Sequence, residues 1–307
     1  MKDVTLRQME YLVAVLDAGS VSAGAQACHV SQATVSSALA ALERTLGATL
    51  LLRGPARRAL PTPEGLEFGA RARAVLASVN DAVDAVDASL TELSGPLSVG
   101  CMHTVSPRIL PGLVEHFTQK WPEVQLRLQE SDPFTLQDEV AAGTLDVAVM
   151  YERQVREPTL EAFHLAEVQL HAMLPADSPL ATGDSVALAD LAELPCILLN
   201  IPPTQELLLE RIHALGLEVD VRWTSSSAET IRSLVARGLG FSLINAVPHP
   251  DARSFEGLRL AYLPLSDERQ ANPAVALTAP GRRRSARIDE ALHALRRVAQ
   301  DSSPGGW

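Results

Sequence analysis

Arg53, Arg57 and Arg58 fall within six residues of one another and concentrate fixed positive charge in one short stretch. Guanidinium forks bind phosphate oxygens, so the cluster gives the chain a means of holding a polyanion; a solvated loop is the plain alternative. Upstream, Gln32 follows Ser31 at the start of an apolar-periodic segment, where an amide side chain can pair bidentately with adenine in a major groove. Three further stretches carry hydroxyls or amides after apolar runs: Cys101 to Ser106, Asn200 to Thr204, and Thr224 to Ser227. At strand-to-helix junctions such groups bind carboxylates or phosphates, or simply cap the helices. His103 beside Cys101 suggests a base and a nucleophile, but that loop holds no carboxylate to orient the histidine. No Walker loop, G-x-G-x-x-G or H-E-x-x-H occurs. The three cysteines, Cys28, Cys101 and Cys196, contain no C-x-x-C pair and predict neither a disulfide framework nor a zinc site. No catalysis, cofactor or metal is expected.

The groups that would touch a polyanion need a scaffold, and the first 65 residues supply one. Leu6, Met9, Val13 and Leu16 mark one face of a helix that Gly19 ends. Ser20 or Ser22 caps a short second helix through Ala27, and His29-Val30 forms a tight connection. Ser31 caps a third helix with Val35, Leu39, Leu42 and Leu46 buried and Gly47 as its stop. Its opposite face is small and polar: Ala33, Ser37, Ala40 and Arg44, flanked by Thr34 and Ala41. The pattern predicts a helix-turn-helix whose second helix enters a major groove. Thr49 to Arg53, Gly54-Pro55 and Ala59-Leu60 then predict a β-hairpin wing that carries the arginines. A small helical domain with an idle surface is the competing account.

Charge supports this division. The whole chain carries a net −11, yet residues 1–65 hold six basic against five acidic residues, leaving 20 against 32 for the rest. A slightly basic head on an acidic body approaches DNA only through the head. With 47% hydrophobic and 21% charged residues, disorder is excluded, and no apolar run nears the ~20 residues of a membrane span. Asp3 and Glu10 interrupt the first segment, which is therefore not expected to be a secretory signal, and a cytoplasmic protein is expected.

Ala72, Leu76, Val79, Val83, Val86, Leu90 and Leu93 alternate in steps of four and three, a heptad seam on a helix expected over 64–93 and roughly 45 Å long. Such a seam pairs with a second copy or docks on the chain's own body. After Ser94-Gly95-Pro96, strands and helices alternate. One series covers Leu97–Gly100, Pro107–Lys120, Val124–Glu130, Leu136–Ala142 and Leu145–Met150; a second covers Leu170–Leu174, Cys196–Leu199, Gln205–Leu215, Val219–Arg222, Ala228–Ala236 and Phe241–Ile244. Strand Ala274–Leu277 and helix Arg287–Ala299 are expected to return to the first series.

The head resembles the winged helix-turn-helix of LysR-type transcriptional regulators. The matching residues are Leu6-Arg7-Gln8, His29-Val30-Ser31-Gln32, Leu42-Glu43, and Leu50 to Gly65 as the wing; Ala33 departs from a frequent proline and Leu51 from a usual phenylalanine. The body resembles the bilobed effector domain of the same family, which is similar to type 2 periplasmic binding proteins. The resemblance implies base or phosphate contacts at Gln32, Thr34, Ser36, Ser37, Arg53 and Arg58, with Arg57 in the same cluster. It implies pairing through Leu76, Val79, Val83, Val86 and Leu90 into a homodimer or homotetramer on an interrupted inverted repeat of double-stranded DNA. It also implies a small anionic or polar metabolite at Cys101, Met102, His103, Thr104 and Ser106, at Asn200, Pro202 and Thr204, and at Ser225 and Ser226. The expected domains are a head (1–65), a linker helix (66–94) and an effector domain (95–302), with a flexible tail (303–307). Within the effector domain, lobe I spans about 95–163 and 268–302 and lobe II about 164–267. Some members sense peroxide through a cysteine pair, whose positions Cys101 and Cys196 do not match. The rival account is an α/β enzyme or cytoplasmic solute-binding protein with an N-terminal interaction module.

Overall fold

The computed structural model describes residues 3–53, 59–87, 93–245, 253–267, 270–280 and 284–301. In the head, a capping box opens α1 (Leu6–Ala18): Thr5 Oγ1 accepts from Gln8 N while Gln8 Oε1 accepts from Thr5 N. Gly19, at φ 67°, ends it. The buried face is Tyr11, Leu12 and Val15, not the expected stripe: Leu6 is exposed and Met9, Val13 and Leu16 are only partly covered. The helix has a second contact that a single-stripe reading does not anticipate. Leu16 lies against the linker helix, where a Cβ at Gly69 would meet its Cδ1 at 2.4 Å.

Ser20 caps α2 (Val21–Ala27), and the chain turns at His29 with φ 55°. Ser31 caps α3 (Gln32–Leu46), accepting from Thr34 N, and Val35, Leu39 and Leu42 are buried as expected. Glu43 Oε1 accepts from Leu50 N and Leu51 N at 2.7 and 3.1 Å, stapling α3 to the start of a hairpin. That hairpin is the wing, β1 (Leu51–Arg53) antiparallel to β2 (Ala59–Pro61).

The linker α4 (Pro63–Asp87) follows, and the start of its seam is engaged within the chain. Ala72 is buried, and Leu76 faces a crevice shared by Val13, Arg73 and the body residues Leu97, Leu128 and Leu145. Arg73 pairs with Asp17 of α1. Leu93 packs on the first lobe's core instead of continuing a seam. Val79 is partly exposed; the side chains of Val83 and Val86, and all of Leu90, lie outside the described residues.

Lobe I contains β3 (Gly95–Met102), α5 (Ser106–Lys120), β4 (Val124–Ser131), α6 (Pro133–Ala141), β5 (Val147–Tyr151) and β6 (Glu161–Ala166). Lobe II contains β7 (His171–Pro175), α7 (Leu188–Leu191), β8 (Cys196–Leu199), α8 (Thr204–Ala214), β9 (Val221–Ser225), α9 (Ala228–Ala236), β10 (Ser242–Ile244) and β11 (Leu260–Pro264). The chain then returns to lobe I with β12 (Ala274–Thr278) and α10 (Ala286–Asp301). The lobe I sheet has the order β4-β3-β5-β12-β6, parallel across β4, β3 and β5 and antiparallel at β12. In lobe II, β10-β7-β11 is antiparallel and β8-β9 parallel. Phe241 N donates to Pro195 O and Ile197 N to Phe241 O, joining the two sheets. The join needs glycine at 240, where φ is 154° and a Cβ would sit 2.1 Å from Pro195 O.

In the two lobes the structure also departs locally from the sequence reading at β6, at β11 and at β9. β6 and β11 have no counterpart there, because an edge strand with alternating burial and a five-residue strand ending in proline give weak periodic signals. β9 forms over Val221–Ser225, two or three residues later than expected. Because β6 belongs to the lobe I sheet, the first crossing lies between Ala166 and His171, a few residues beyond the expected position near 164. The second lies between Pro264 and Ala274, and Asn272 N donates to Val168 O at 2.8 Å, tying the crossings together.

Candidate functional site

On α3, the buried Val35, Leu39 and Leu42 turn the other face outward. Gln32, Thr34 and Ser37 are exposed and Ser36 is partly covered. Thr34 is not a free reader: its hydroxyl lies 2.8 Å from Ser31 Oγ, which also accepts from Thr34 N. Gln32 and Ser37 therefore present the more available polar groups. Arg53 ends β1 of the wing; its side chain, and Arg57 and Arg58 entirely, lie outside the described residues.

The first junction leaves the carboxyl end of β3. Cys101 and Met102 are sealed in the lobe I core and are not available to an effector, because the strand continues through both. His103 is exposed, and Thr104 is partly covered. Ser106 opens α5 but does not cap it: Val105 is the N-cap without a side-chain bond, and Ser106 Oγ donates to Glu130 Oε2 at 2.5 Å. His103 Nδ1 lies 3.5 Å from the same oxygen. Folding thus brings in the carboxylate that the loop lacks, yet serine and histidine both face Glu130 and not each other. No nucleophile–base relay forms, and burial pushes the Cys101 thiol far up.

At the second junction Asn200 and Pro202 are exposed, whereas Thr204 is buried at the first position of α8. Its Oγ1 accepts from Gln154 Nε2 of lobe I at 3.0 Å, so Thr204 joins the lobes instead of capping its helix. α5 and α8 both begin without a side-chain cap, leaving backbone N–H groups for another acceptor. The third junction is different. Ser227 caps α9, Ser225 Oγ accepts from Ser227 N at 3.1 Å, and the capping role describes both; Ser226 is exposed. Asn200 N donates to Ser225 O, holding the second and third junctions side by side.

Three buried polar atoms at the lobe I rim have no hydrogen-bond partner: Thr104 Oγ1, Tyr151 Oη and Gln154 Oε1. Tyr151 ends β5, and burial pushes its hydroxyl far up, tempered by the neighbouring Thr104 hydroxyl and by the charge of Arg108. Thr104 and Tyr151 are close without hydrogen-bonding geometry. Gln154 is positioned by Gln137 of α6, whose Nε2 donates to Gln154 O at 3.0 Å. Sequence reasoning missed Arg108, Tyr151, Gln154 and Glu130. The signal for Tyr151 was available, since it is the last residue of a parallel strand, where ligands of doubly wound sheets gather.

A three-helix head with a wing, a linker helix, and two α/β lobes meeting at strand ends define a DNA-binding regulator with a ligand-binding body. Residues 6–66 match the family of bacterial regulatory helix-turn-helix proteins of the lysR family, and residues 91–300 match the LysR substrate binding domain. The chain belongs to the LysR family and is a DNA-binding transcriptional regulator with an effector-binding domain. It is 29% identical over 308 residues, 97% of each chain, to a hydrogen peroxide-inducible genes activator of Pectobacterium carotovorum. A full-length OxyR variant from Pseudomonas aeruginosa superposes with a TM-score of 0.77 at 26% identity, covering 97% of this chain and 98% of that one. HinK, a LysR family regulator of the same organism, gives 0.63 at 28%, covering 96% and 98%. Among the described residues, no helix is long and apolar enough to cross a membrane.

Proposed function

We propose that this regulator binds an interrupted inverted repeat as a homodimer or homotetramer, and that a small anionic or polar metabolite between its lobes shifts the assembly between two DNA-bound geometries. The domains are a head over 1–65, a linker over 66–94 and an effector body over 95–302, with the first lobe crossing at Glu167. The observation that carries the reading is the Gln154–Thr204 bond, which spans the lobes near buried polar atoms that still lack partners. Unpaired buried groups cost free energy, and a ligand that satisfies them favours the closed arrangement. The contacts fall to Thr104, Tyr151, Gln154, Thr204, Asn200 and Ser226, with Arg108 supplying positive charge nearby.

The peroxide response in the name of the Pectobacterium relative has no support in the two cysteines of the effector body, and the third, the partly exposed Cys28, lies in the head with its thiol also raised by burial. Cys101 and Cys196 are buried and free, and burial raises the Cys196 thiol to about 12. A peroxide-reactive thiol needs thiolate character and access. The effector reading is therefore reversible binding, without covalent chemistry. A thermal-shift screen of carboxylates and phosphates on the full chain tests it: a stabilising compound whose effect disappears in Thr104→Val supports the site, and a hit unaffected by that change puts the pocket elsewhere.

A further inference from the structure

One helix of lobe I is tied to lobe II through its first half and reaches the linker at its end. Gln154, which donates to Thr204 of lobe II, sits on the short turn that follows β5. That turn is fastened to α6 by both ends of one buried amide. Gln137 Nε2 donates to Gln154 O at 3.0 Å, and Gln137 Oε1 accepts from Arg156 N and Glu157 N at 2.7 and 3.0 Å. Arg156 Nη2 reaches both oxygens of Asp138, at 2.9 and 3.0 Å, and its guanidinium lies 4.3 Å from the centre of the Phe134 ring. Held by three side chains of α6, the turn has little slack relative to the helix.

The other end of α6 meets the support of the head. Gly143, two residues past the helix and at φ 70°, faces the linker: a Cβ there would lie 3.8 Å from Arg73 Cβ and 3.9 Å from Ala74 N of α4. Thr144 N and Leu145 N both donate to Glu139 O, closing this turn back onto α6. Arg73 in its turn pairs with Asp17 of α1. Contacts therefore run without a gap from the crevice between the lobes, through α6 and α4, to the head. The nine residues of α6 span roughly 14 Å, and a helix of that length carries a displacement from one end to the other as a rigid element.

We propose that α6 is the rod by which the position of lobe II is communicated to the DNA-binding head. Movement of Thr204 shifts the Gln154 turn, the turn carries α6, and Gly143 shifts the linker against α1. Leu136 and Val140 of α6 are fully buried in the lobe I core, so the displacement is a small slide of one packed helix, not a swing. The proposal rests on the effector reading above for what moves the lobes; the contacts along the rod do not depend on it.

Hydrogen exchange of the full chain tests the rod without any ligand. Thr204→Val should speed exchange about threefold or more in α6, in residues 70–76 of α4 and in α1, and leave β12 and α10 as in the wild type; Thr204→Ser should restore all of them. In a Gln137→Leu background, where the turn is unfastened, Thr204→Val should add nothing in α4 and α1. In a Cys28→Ser background, Arg73→Cys with Gly143→Cys should close a disulfide, since Cβ atoms 3.8 Å apart match a bridged pair. Unchanged exchange of α4 and α1 in Thr204→Val, a response of equal size in the Gln137→Leu background, or failure of the two cysteines to bridge overturns the proposal. A rise of the same size in β12 and α10 marks general loosening and overturns it too. A screen that finds no crevice ligand sinks the effector reading and leaves these outcomes as they are, so the two failures are distinguishable.

Discussion

Gln154 and Thr204 share a hydrogen bond across the two lobes, with both side chains buried and the donor carried on a short turn after β5. The amide's two ends have different fates. Its nitrogen is committed to Thr204, while its oxygen has no partner. Removing the acceptor should leave the amide wholly unsatisfied, at a cost of about 1–3 kcal/mol. Thr204→Val is thus expected to lower the denaturant midpoint and to widen the lobe separation seen by small-angle scattering; Thr204→Ser should restore both.

The hydroxyl junctions are separable. Thr104 has a buried oxygen without a partner, whereas Ser225 accepts a bond within its own turn. Thr104→Val should abolish the thermal shift caused by a ligand found in the screen. Ser225→Ala should lower the unliganded melting temperature and leave the ligand-induced increment in place. An equal loss of ligand response in both variants would show that the third junction binds ligand after all.

Reading and holding of DNA should likewise separate in gel shifts. Gln32→Ala is expected to change which sequences are preferred, since an exposed amide at the start of α3 is placed to meet base edges. Arg53→Ala with Arg58→Ala should weaken binding to all sequences alike, and should reduce the slope of log affinity against log salt by about 1 for each phosphate that is no longer neutralised. Unchanged slopes would remove the wing from the interface.

Assembly through the linker has a built-in control. Leu76 faces the body within its own chain, while Val83 lies a heptad later on the same helix. Val83→Asp should dissociate the oligomer in light scattering, because a carboxylate in an apolar seam has no partner. Leu76→Asp should chiefly loosen the head and linker from lobe I, and show as protease sensitivity at unchanged mass.

Acid should reveal a cluster between α5 and α10. His116 Nε2, Lys120 Nζ and Trp121 Nε1 converge on Glu290 Oε1 at 2.7 to 3.0 Å. Burial raises the carboxyl, but the bonds from Lys120, Trp121 and His116 outweigh it and hold the value at about 2. A folded value below the usual 4.5 means the stabilisation is whole above 4.5 and is lost as pH falls through about 2. The contribution is on the order of 2 kcal/mol. Denaturant midpoints of the wild type should fall across that window, and those of Glu290→Gln should be lower at neutral pH and flatter below it.

The head was the most legible part because its signals are local. Gly19, Ser31 and Gly47 each perform a backbone task that can be assigned without knowing the fold. Misassignment of the α1 stripe has a tertiary cause: the helix is covered on one side by the head core and on another by α4, so apolar spacing alone does not tell which face is deeper. The cleft was half legible. Junction loops show in the chain as hydroxyl-rich stretches, and Thr104 and Thr204 stand out that way. Gln154 carries no comparable mark, since its role depends on Gln137 fixing its backbone and on Thr204 arriving from fifty residues away. Cys101 and Met102 were misplaced for the converse reason, because the strand runs two residues longer than its apolar run suggested.

The bond from Asn272 to Val168 gives the body its mechanics. Two ribbons of chain fastened side by side form a strap, and a strap bends more readily than it twists. Such a strap favours opening and shutting of the lobes over sliding or swivelling. A molecule bound in the crevice as proposed would act on that opening angle. On the proposed reading, an effector bound in the crevice would reach the rest of the regulator as a change in that angle.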